Sequence, residues 1–203
     1  EPLRHRKFEA RKIYGFFATT TAISLLAGIA IASAASSVIN VRGTNYSFDL
    51  KEIVEKPAVY GDGCHVNYGE NESGECTYGE IGSSTKIVLF GDSHAAQWFP
   101  ALELLAREKG FELISLTKSA CPSVDSPRAD QGAYKNSECE KWRQNSIKRI
   151  QELKPEAVIV SSFQYFEEPR GYSSRTQWWQ DGQRRLLVDL RGSSKNLIYI
   201  SDT

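Results

Sequence analysis

The sequence predicts an α/β domain, built on a parallel sheet with helices on both faces, that follows one membrane-spanning helix. Two observations predict this architecture. After residue 85, short apolar runs alternate with amphipathic stretches, and strands that alternate with helices are typical of parallel sheets. Before residue 40, a long run without charged residues has the length that a bilayer requires.

The elements of the predicted domain follow from apolar patterning. Short apolar runs predict four strands, at Lys86–Phe90, Phe111–Leu116, Ala157–Val160 and Leu197–Ile200. Apolar residues at helical spacing predict three helices, at Ala95–Lys109, Glu138–Leu153 and Gln177–Leu190. The second helix ends before Pro155. These elements define a domain over residues 86–203, which we expect to be incomplete because its last strand ends so close to Thr203.

The charge-free run extends from Ile13 to Ile39 and is predicted to span a membrane, for which about 20 apolar residues suffice. Basic residues are concentrated before it: Arg4, His5, Arg6, Lys7, Arg11 and Lys12. Only Arg42 and Lys51 follow it closely. The positive-inside rule therefore predicts that residues 1–12 are cytoplasmic and that the chain after Asn40 is extracytoplasmic.

Two alternatives remain open for this run. The first is a cleaved signal peptide, with Ala32-Ser33-Ala34 as its cleavage site, and the second is a buried helix of a soluble domain. The run is longer than the roughly 7 to 15 apolar residues of a signal peptide, which favours a retained helix. Export of the following domain is predicted for a span and for a signal peptide alike.

The cysteines Cys64, Cys76, Cys121 and Cys139 form two local pairs with 11 and 17 intervening residues. An even number in local pairs favours two disulfides, Cys64–Cys76 and Cys121–Cys139, over a metal site or free thiols. A zinc site would need closer cysteines or histidine partners, and His65 has no second histidine at ligand spacing. Disulfides place the domain outside the cytoplasm, in agreement with the charge bias.

Residues 40–85 are polar and glycine-rich with little periodicity, which predicts an extracytoplasmic linker that the first disulfide ties down. The chain has no Met and begins at Glu1, so we expect it to be part of a longer polypeptide. Lys+Arg and Asp+Glu both number 25, and this balance argues against nucleic-acid binding. No metal or cofactor is expected.

The sequence Gly91-Asp92-Ser93-His94 lies between the first predicted strand and the first predicted helix. Ligand sites of open parallel sheets lie at this end of the strands. A serine here can present its hydroxyl at the edge of the sheet, where backbone N–H groups can stabilise an oxyanion. The alternative is that Ser93 serves only as the N-cap of the helix.

The stretch Val88–Leu102 (VLFGDSHAAQWFPAL) resembles the first conserved block of SGNH hydrolases, specifically the SGNH domain appended to membrane acyltransferases of acyltransferase family 3. Lys118–Pro122 and Cys139–Trp142 are similar to the following block, and Glu1–Arg4 resembles the end of the membrane acyltransferase domain. The resemblance implies a flavodoxin-like sheet.

The resemblance also implies roles for single residues. Ser93 would be the nucleophile, and Asp92 and His94 would shape the turn that carries it. The family's general base lies in an Asp-x-x-His motif near the end of the domain, and no such motif occurs between Ser93 and Thr203. His5 is on the cytoplasmic flank, and His65 is interpreted as structural or solvated. Because a serine without a base is a poor nucleophile, we expect this chain alone to be nearly inactive.

Candidate oxyanion donors follow the second and third strands: Ser119 with its neighbouring amides, then Ser161, Ser162 or Gln164. For Ser161, Ser162 and Gln164 a capping or turn role is at least as well supported. The aromatic pairs Trp178-Trp179 and Tyr165-Phe166 predict either a sugar-stacking platform or core packing, and core packing is favoured.

The resemblance implies transfer of an acyl group, most simply acetyl, through a Ser93 ester to a cell-envelope glycan. Hydrolysis of acyl esters by the same serine is the first alternative, and a non-catalytic glycan-binding module is the second. A sensor ectodomain is less favoured, because a sensor has no need of this motif at a strand-to-helix turn. The implied partners are the membrane acyltransferase domain of the same polypeptide, the glycan acceptor and the lipid bilayer.

Overall fold

The structure is a computed structural model that describes residues 10–41, 56–167 and 171–201, and of residues 10–13 and 35–41 only the backbone. The chain divides into two compact units, Glu1–Val54 and Glu55–Thr203. Most of the predicted basic flank, residues 1–9, lies outside the described residues.

The first unit contains one long helix, α1 (Ala10–Val41). Its segment Tyr14–Ala34 has 21 residues with a hydropathy of 1.8, which is long and apolar enough to cross a membrane. The hydroxyls of Thr19 and Thr20 donate to backbone carbonyls one turn earlier, at 3.0 and 2.9 Å. These bonds satisfy the polar groups of the two threonines within the helix itself, as an apolar surrounding requires.

The second unit contains all the other described elements, in an alternating order. They are α2 (Ala58–Gly61), β1 (His65–Val66), β2 (Thr77–Gly79), β3 (Lys86–Gly91), α3 (Ser93–Ala96), α4 (Phe99–Lys109), β4 (Glu112–Lys118), α5 (Asn136–Leu153), β5 (Ala157–Ser161), α6 (Arg175–Asp189) and β6 (Asn196–Ile200). The four predicted strands and the last two predicted helices are present, with ends that differ by at most two residues. The α/β fold class is confirmed.

The strands form one sheet in the order β1-β4-β3-β5-β6, and all of these pairs are parallel. From β4 to β6 the order is that of a flavodoxin-like sheet, in which the chain reverses direction across the sheet between the first and third strands. Here those strands are β3 and β5. The sheet therefore has a switch point between the ends of β3 and β5, the usual place for a ligand site.

Apolar side chains alternate along the strands and pack against helices on both faces. Phe90 contributes to a core cluster that also holds Trp142 of α5 and Trp178 of α6. The neighbouring Leu89 contributes to a second cluster, with Phe99 of α4. Successive strand residues face opposite sides of a sheet, so the two clusters are its two covered faces. The Trp178-Trp179 pair is core, not a sugar platform.

Two differences from the predicted elements have simple physical causes. The helix predicted over Ala95–Lys109 is split into α3 and α4, because Pro100 has no N–H to donate to the preceding turn. Within the predicted linker, β1 pairs with β4 in parallel and β2 pairs with β4 antiparallel. These strands have two and three residues, which is too short to show an alternating apolar pattern.

Candidate active site

Ser93 is the first residue of α3, immediately beyond the end of β3. The N-cap of this helix is Asp92, whose Oδ1 accepts a hydrogen bond of 2.8 Å from the N–H of His94. The Ser93 hydroxyl is therefore not needed as a cap, and it makes no hydrogen bond to any residue that the structure describes. Ser93 is half-buried and lines a cleft.

Gly91 allows the chain to turn at this point. Its φ is +154°, and a Cβ here would lie 1.8 Å from the carbonyl oxygen of Ser161. Only glycine permits this close approach between the ends of β3 and β5. The motif thus brings the nucleophile candidate to the switch point of the sheet.

Asp92 joins the loops that follow these two strands. The side chain is 1% exposed, and its Oδ2 accepts a hydrogen bond of 2.9 Å from the N–H of Phe163, beyond β5. The Phe163 ring in turn packs against the His94 ring at a tilt of 40°, with 4.9 Å between centroids. A buried carboxylate that accepts two backbone N–H groups fixes both loops in one geometry.

The cleft beside Ser93 has a volume of about 320 Å³. Of the residues predicted from the sequence, Ser93, His94 and Ser119 line it. Two further lining residues belong to the predicted sets, Ala120 as a neighbour of Ser119 and Phe166 as part of the Tyr165-Phe166 pair. The remaining lining residues were not predicted as site residues: Tyr60, His65, Tyr68 and Phe163. Three of these come from the segment before β3 that the sequence predicted to be a linker.

Ser119 and Ala120 form a tight turn at the end of β4. Ala120 has a positive φ of 53°, and its carbonyl accepts a hydrogen bond of 2.8 Å from the Arg128 side chain. The N–H of Ser119 donates a hydrogen bond of 2.8 Å to the Val66 carbonyl, so this amide already holds β1 and is not left for an oxyanion. The Ser119 hydroxyl and the Ala120 N–H are the donor candidates left at this turn.

The structure places Ser162 and Gln164 away from this cleft. Ser162 is fully buried. Its Oγ accepts a hydrogen bond of 2.9 Å from the N–H of Ser123 and forms a second one, also of 2.9 Å, with the Ser123 hydroxyl. Gln164 lines a separate pocket with Tyr165 and Trp179. Neither residue lines the cleft beside Ser93. Ser161 is the last residue of β5, is also buried, and does not line this cleft either.

His65 lies in β1 and is 3% exposed at the wall of the cleft. Its Nδ1 is 3.0 Å from the Thr117 hydroxyl, and its ring packs against the Tyr60 ring at a tilt of 46°, with 4.5 Å between centroids. Burial, and secondarily the charge of Lys118, lower the pKa of His65 to about 4. This imidazole is neutral at physiological pH and structural, which excludes the solvated alternative.

Both disulfides expected from the cysteine spacing are present, and each supports a wall of the site. Cys64–Cys76 connects the segment before β1 to the start of β2, and Cys121–Cys139 connects the Ser119 turn to α5. The described residues contain no free cysteine. The walls of the cleft are thus covalently tied to the sheet and to a helix.

A solved structure resembles part of this chain. The chain is 18% identical to a solved structure of the periplasmic domain of a lipopolysaccharide acetyltransferase from Salmonella ser. Paratyphi A, with a TM-score of 0.48. The match covers 74% of this chain and 51% of that one, so this chain spans about half the length of that solved domain. No curated protein matches the chain.

A protein-family model matches most of the second unit. The family model for the SGNH domain that is fused to AT3 domains matches residues 63–203, which is more than two thirds of the chain. The match includes Ser93, the cleft residues from His65 onward and all four cysteines. The chain belongs to the family of SGNH domains that are fused to AT3 domains.

Proposed function

We propose that this domain transfers an acyl group, most simply acetyl, through an ester on Ser93 to a hydroxyl of a cell-envelope glycan. The observation that carries the proposal is the Ser93 hydroxyl, which lines the cleft without a hydrogen bond to any described residue. Membership of a family fused to acyltransferase domains supports acyl transfer rather than another serine chemistry.

The proposed chemistry has two steps. The Ser93 Oγ attacks the acyl carbonyl of the donor, its proton passes to a general base, and the donor leaves with a proton. The sugar hydroxyl then attacks the ester and loses its own proton to the same base, which passes this proton to the departing Ser93 Oγ as the Ser93–acyl bond breaks. The base belongs to the Asp-x-x-His motif that the resemblance implies. The 203-residue chain without this motif is therefore proposed to react slowly.

The oxyanion that forms in each step needs nearby donors. We assign this role to the backbone N–H groups of Ser93 and Ala120, with the Ser119 hydroxyl as a third candidate, because all three residues line the cleft. Asp92 and His94 hold the turn in place through the contacts to the loop after β5. Removal of one such donor costs roughly 100-fold or more in rate in other serine enzymes.

The membrane part of the same polypeptide is proposed to deliver the acyl group. The apolar helix α1 would anchor the domain, with residues 1–12 in the cytoplasm and everything after Asn40 outside. Two disulfides in the second unit support this location, since such bonds persist in oxidising compartments. A cell-envelope glycan is proposed as the acceptor, because the proposed location would place the domain beside such glycans.

Labelling with a fluorophosphonate tests the nucleophile in the parent polypeptide that includes the Asp-x-x-His segment. Ser93→Ala should lose labelling entirely, whereas Ser137→Ala, at an exposed position of α5, should label like the parent protein. Equal labelling of Ser93→Ala and the parent would eliminate Ser93. Absence of labelling in every variant would favour a non-catalytic module.

A second measurement separates transfer from hydrolysis. The parent polypeptide is given a chromogenic acetyl ester with and without a sugar acceptor, and the sugar is analysed by mass spectrometry. Transfer adds an acetyl group to the sugar, whereas an esterase releases only acetate. Both reactions pass through the same ester, so both disappear in Ser93→Ala.

A further inference from the structure

The Ser93 cleft is lined by aromatic, hydroxyl and imidazole side chains and by one alanine. Among the described residues that line it, none is Asp, Glu, Lys or Arg. Burial keeps His65 neutral, and burial, followed by the charge of Asp92, raises the pKa of the Tyr60 phenol. The cleft therefore matches an uncharged ligand better than a phosphate or a carboxylate.

Two tyrosines form the outer part of this cleft. Tyr60 is 38% exposed and Tyr68 is 44% exposed, although both are large apolar rings. A ring with a phenol at its end combines an apolar face with a hydrogen-bonding group. This combination fits a sugar ring, which has apolar C–H faces and polar hydroxyl edges, better than it fits a purely apolar acyl chain.

The turn that carries Tyr68 is held rigidly from beneath. Lys118, only 2% exposed, donates from its Nζ to the carbonyls of Asn67 and of Glu70, the latter at 2.6 Å. The N–H of Gly69 donates to a Glu138 carboxylate oxygen at 2.9 Å. A buried ammonium group is unfavourable unless its N–H groups are hydrogen-bonded. The two carbonyls of the turn accept these hydrogen bonds, so the lysine and the turn stabilise each other.

Tyr60 is held in a similar way. It belongs to the short helix α2, which Val59 anchors in the core, and its ring packs on His65. The Cys64–Cys76 disulfide and the contacts of Asp62 with Cys64 and Tyr78 fix the following residues. The backbone that carries each exposed ring is therefore held in place before any ligand arrives, which reduces the entropy lost on binding.

We infer that Tyr60 and Tyr68 form an acceptor subsite that stacks against an uncharged pyranose ring beside Ser93. This inference rests on the proposed function, which it extends from a glycan in general to a neutral sugar unit. The tyrosines would orient the acceptor so that one hydroxyl faces the Ser93 ester. They are binding residues, and no proton transfer is assigned to them.

The test measures sugar binding in the Ser93→Ala variant of the full chain, so that the result does not depend on ester chemistry. Saturation-transfer NMR with neutral methyl glycosides gives the dissociation constant for each sugar. Replacement of Tyr68 by Ala in this background should raise the constant about tenfold, which corresponds to loss of one aromatic contact. Tyr68→Phe, which keeps the ring, should stay within about twofold of the starting value.

Tyr165→Ala is the matched control, because Tyr165 is also an exposed tyrosine but lines a different pocket. Unchanged glycoside binding in both Tyr60→Ala and Tyr68→Ala would overturn the inference. It would also be overturned if these variants lost binding of methyl hexanoate and kept that of the glycosides, which would assign the rings to an acyl chain. Failure of Ser93 to react with a fluorophosphonate would instead refute the proposed function alone.

Discussion

At the residue scale, Gly91 determines how closely the loop after β3 can approach the loop after β5. A Cβ at this position would lie 1.8 Å from the Ser161 carbonyl oxygen and 2.9 Å from the Ala95 Cβ. We expect Gly91→Ala to lower the free energy of unfolding by about 3 kcal/mol, because backbone atoms must move to relieve the clash. Urea unfolding, followed by tryptophan fluorescence, measures this change.

Gly110→Ala separates the clash from backbone strain. Gly110 also has a positive φ, of +72°, but an added Cβ would meet no heavy atom within 4 Å. This variant should lose only about 1 kcal/mol, which is the expected penalty for a side chain in a left-handed conformation. A loss in Gly91→Ala no larger than this would contradict the steric role of Gly91.

His65 makes the stability of the domain depend on pH. Its pKa falls from 6.5 in an exposed histidine to about 4 in the folded protein, chiefly through burial. As the pH decreases from about 6.5 to 4, the unfolded chain binds a proton that the folded chain excludes, so stability declines. The full contribution is present above pH 6.5, and its loss approaches about 3 kcal/mol near pH 4.

His65→Asn removes this titration while keeping a polar group of similar size near Thr117. Unfolding midpoints in urea at several pH values between 4 and 8 provide the comparison. The difference in stability between the parent chain and the variant should shrink as the pH is lowered. A difference that is constant across this range would show that His65 does not titrate differently in the two states.

The site residues Asp92, Ser93 and His94 could be predicted from the sequence because they are consecutive and follow a recognisable strand. The sequence did not locate Tyr60, His65 or Tyr68, because their contribution depends on pairing with a strand some 50 residues later. Ser162 was predicted as a donor from its place after β5, but side-chain direction is not encoded by position along the chain. The structure turns this hydroxyl to Ser123.

At the scale of elements, the turn of residues 67–70 depends on a lysine from β4. Lys118→Met would leave the carbonyls of Asn67 and Glu70 without the ammonium group that binds them. We expect unfolding stability to fall by about 2 kcal/mol, because buried carbonyls without donors are unfavourable. Hydrogen exchange should also become faster for the amides of this turn, measured by mass spectrometry of its peptides.

Lys141→Met in α5 is the control for the loss of a lysine charge, since this side chain is exposed. It should change neither the stability by more than about 0.5 kcal/mol nor the exchange of the turn. If the turn exchanges at the parent rate in Lys118→Met, another contact holds it. The Gly69 bond to Glu138 would then be the principal support.

Elements were predictable from the sequence where apolar patterning was long enough to reveal them. Strands β3 to β6 each have five to seven residues and were found, as were α5 and α6. Strands β1 and β2 were missed because two and three residues cannot show a period. The break between α3 and α4 was visible in principle, since Pro100 interrupts the helical hydrogen bonds.

At the scale of the whole molecule, the proposed orientation across the membrane can be measured with a thiol reagent that does not cross membranes. Ser137→Cys, at an exposed position of α5, should react in intact cells. Arg6→Cys should react only after the membrane is permeabilised, because the basic flank is proposed to be cytoplasmic. Labelled protein is detected by its shift on a gel.

The two rival topologies give different results. Reaction of Arg6→Cys in intact cells would reverse the proposed orientation. A mature chain that begins after Ala34, found by N-terminal sequencing, would identify α1 as a cleaved signal peptide. Recovery of the uncleaved chain in the membrane fraction agrees with a retained helix.

The pairing of β1 and β2 with β4 has a consequence for the order of folding. A ribosome delivers the chain from its N-terminus, so residues 65–79 emerge well before their partners at 112–118. The Cys64–Cys76 bond spans only 12 positions and can close early, holding the first segment as a small loop until β4 arrives. One wall of the cleft is thus synthesised before the strand with which it pairs, and its unpaired strand edges are open to aggregation in the interval.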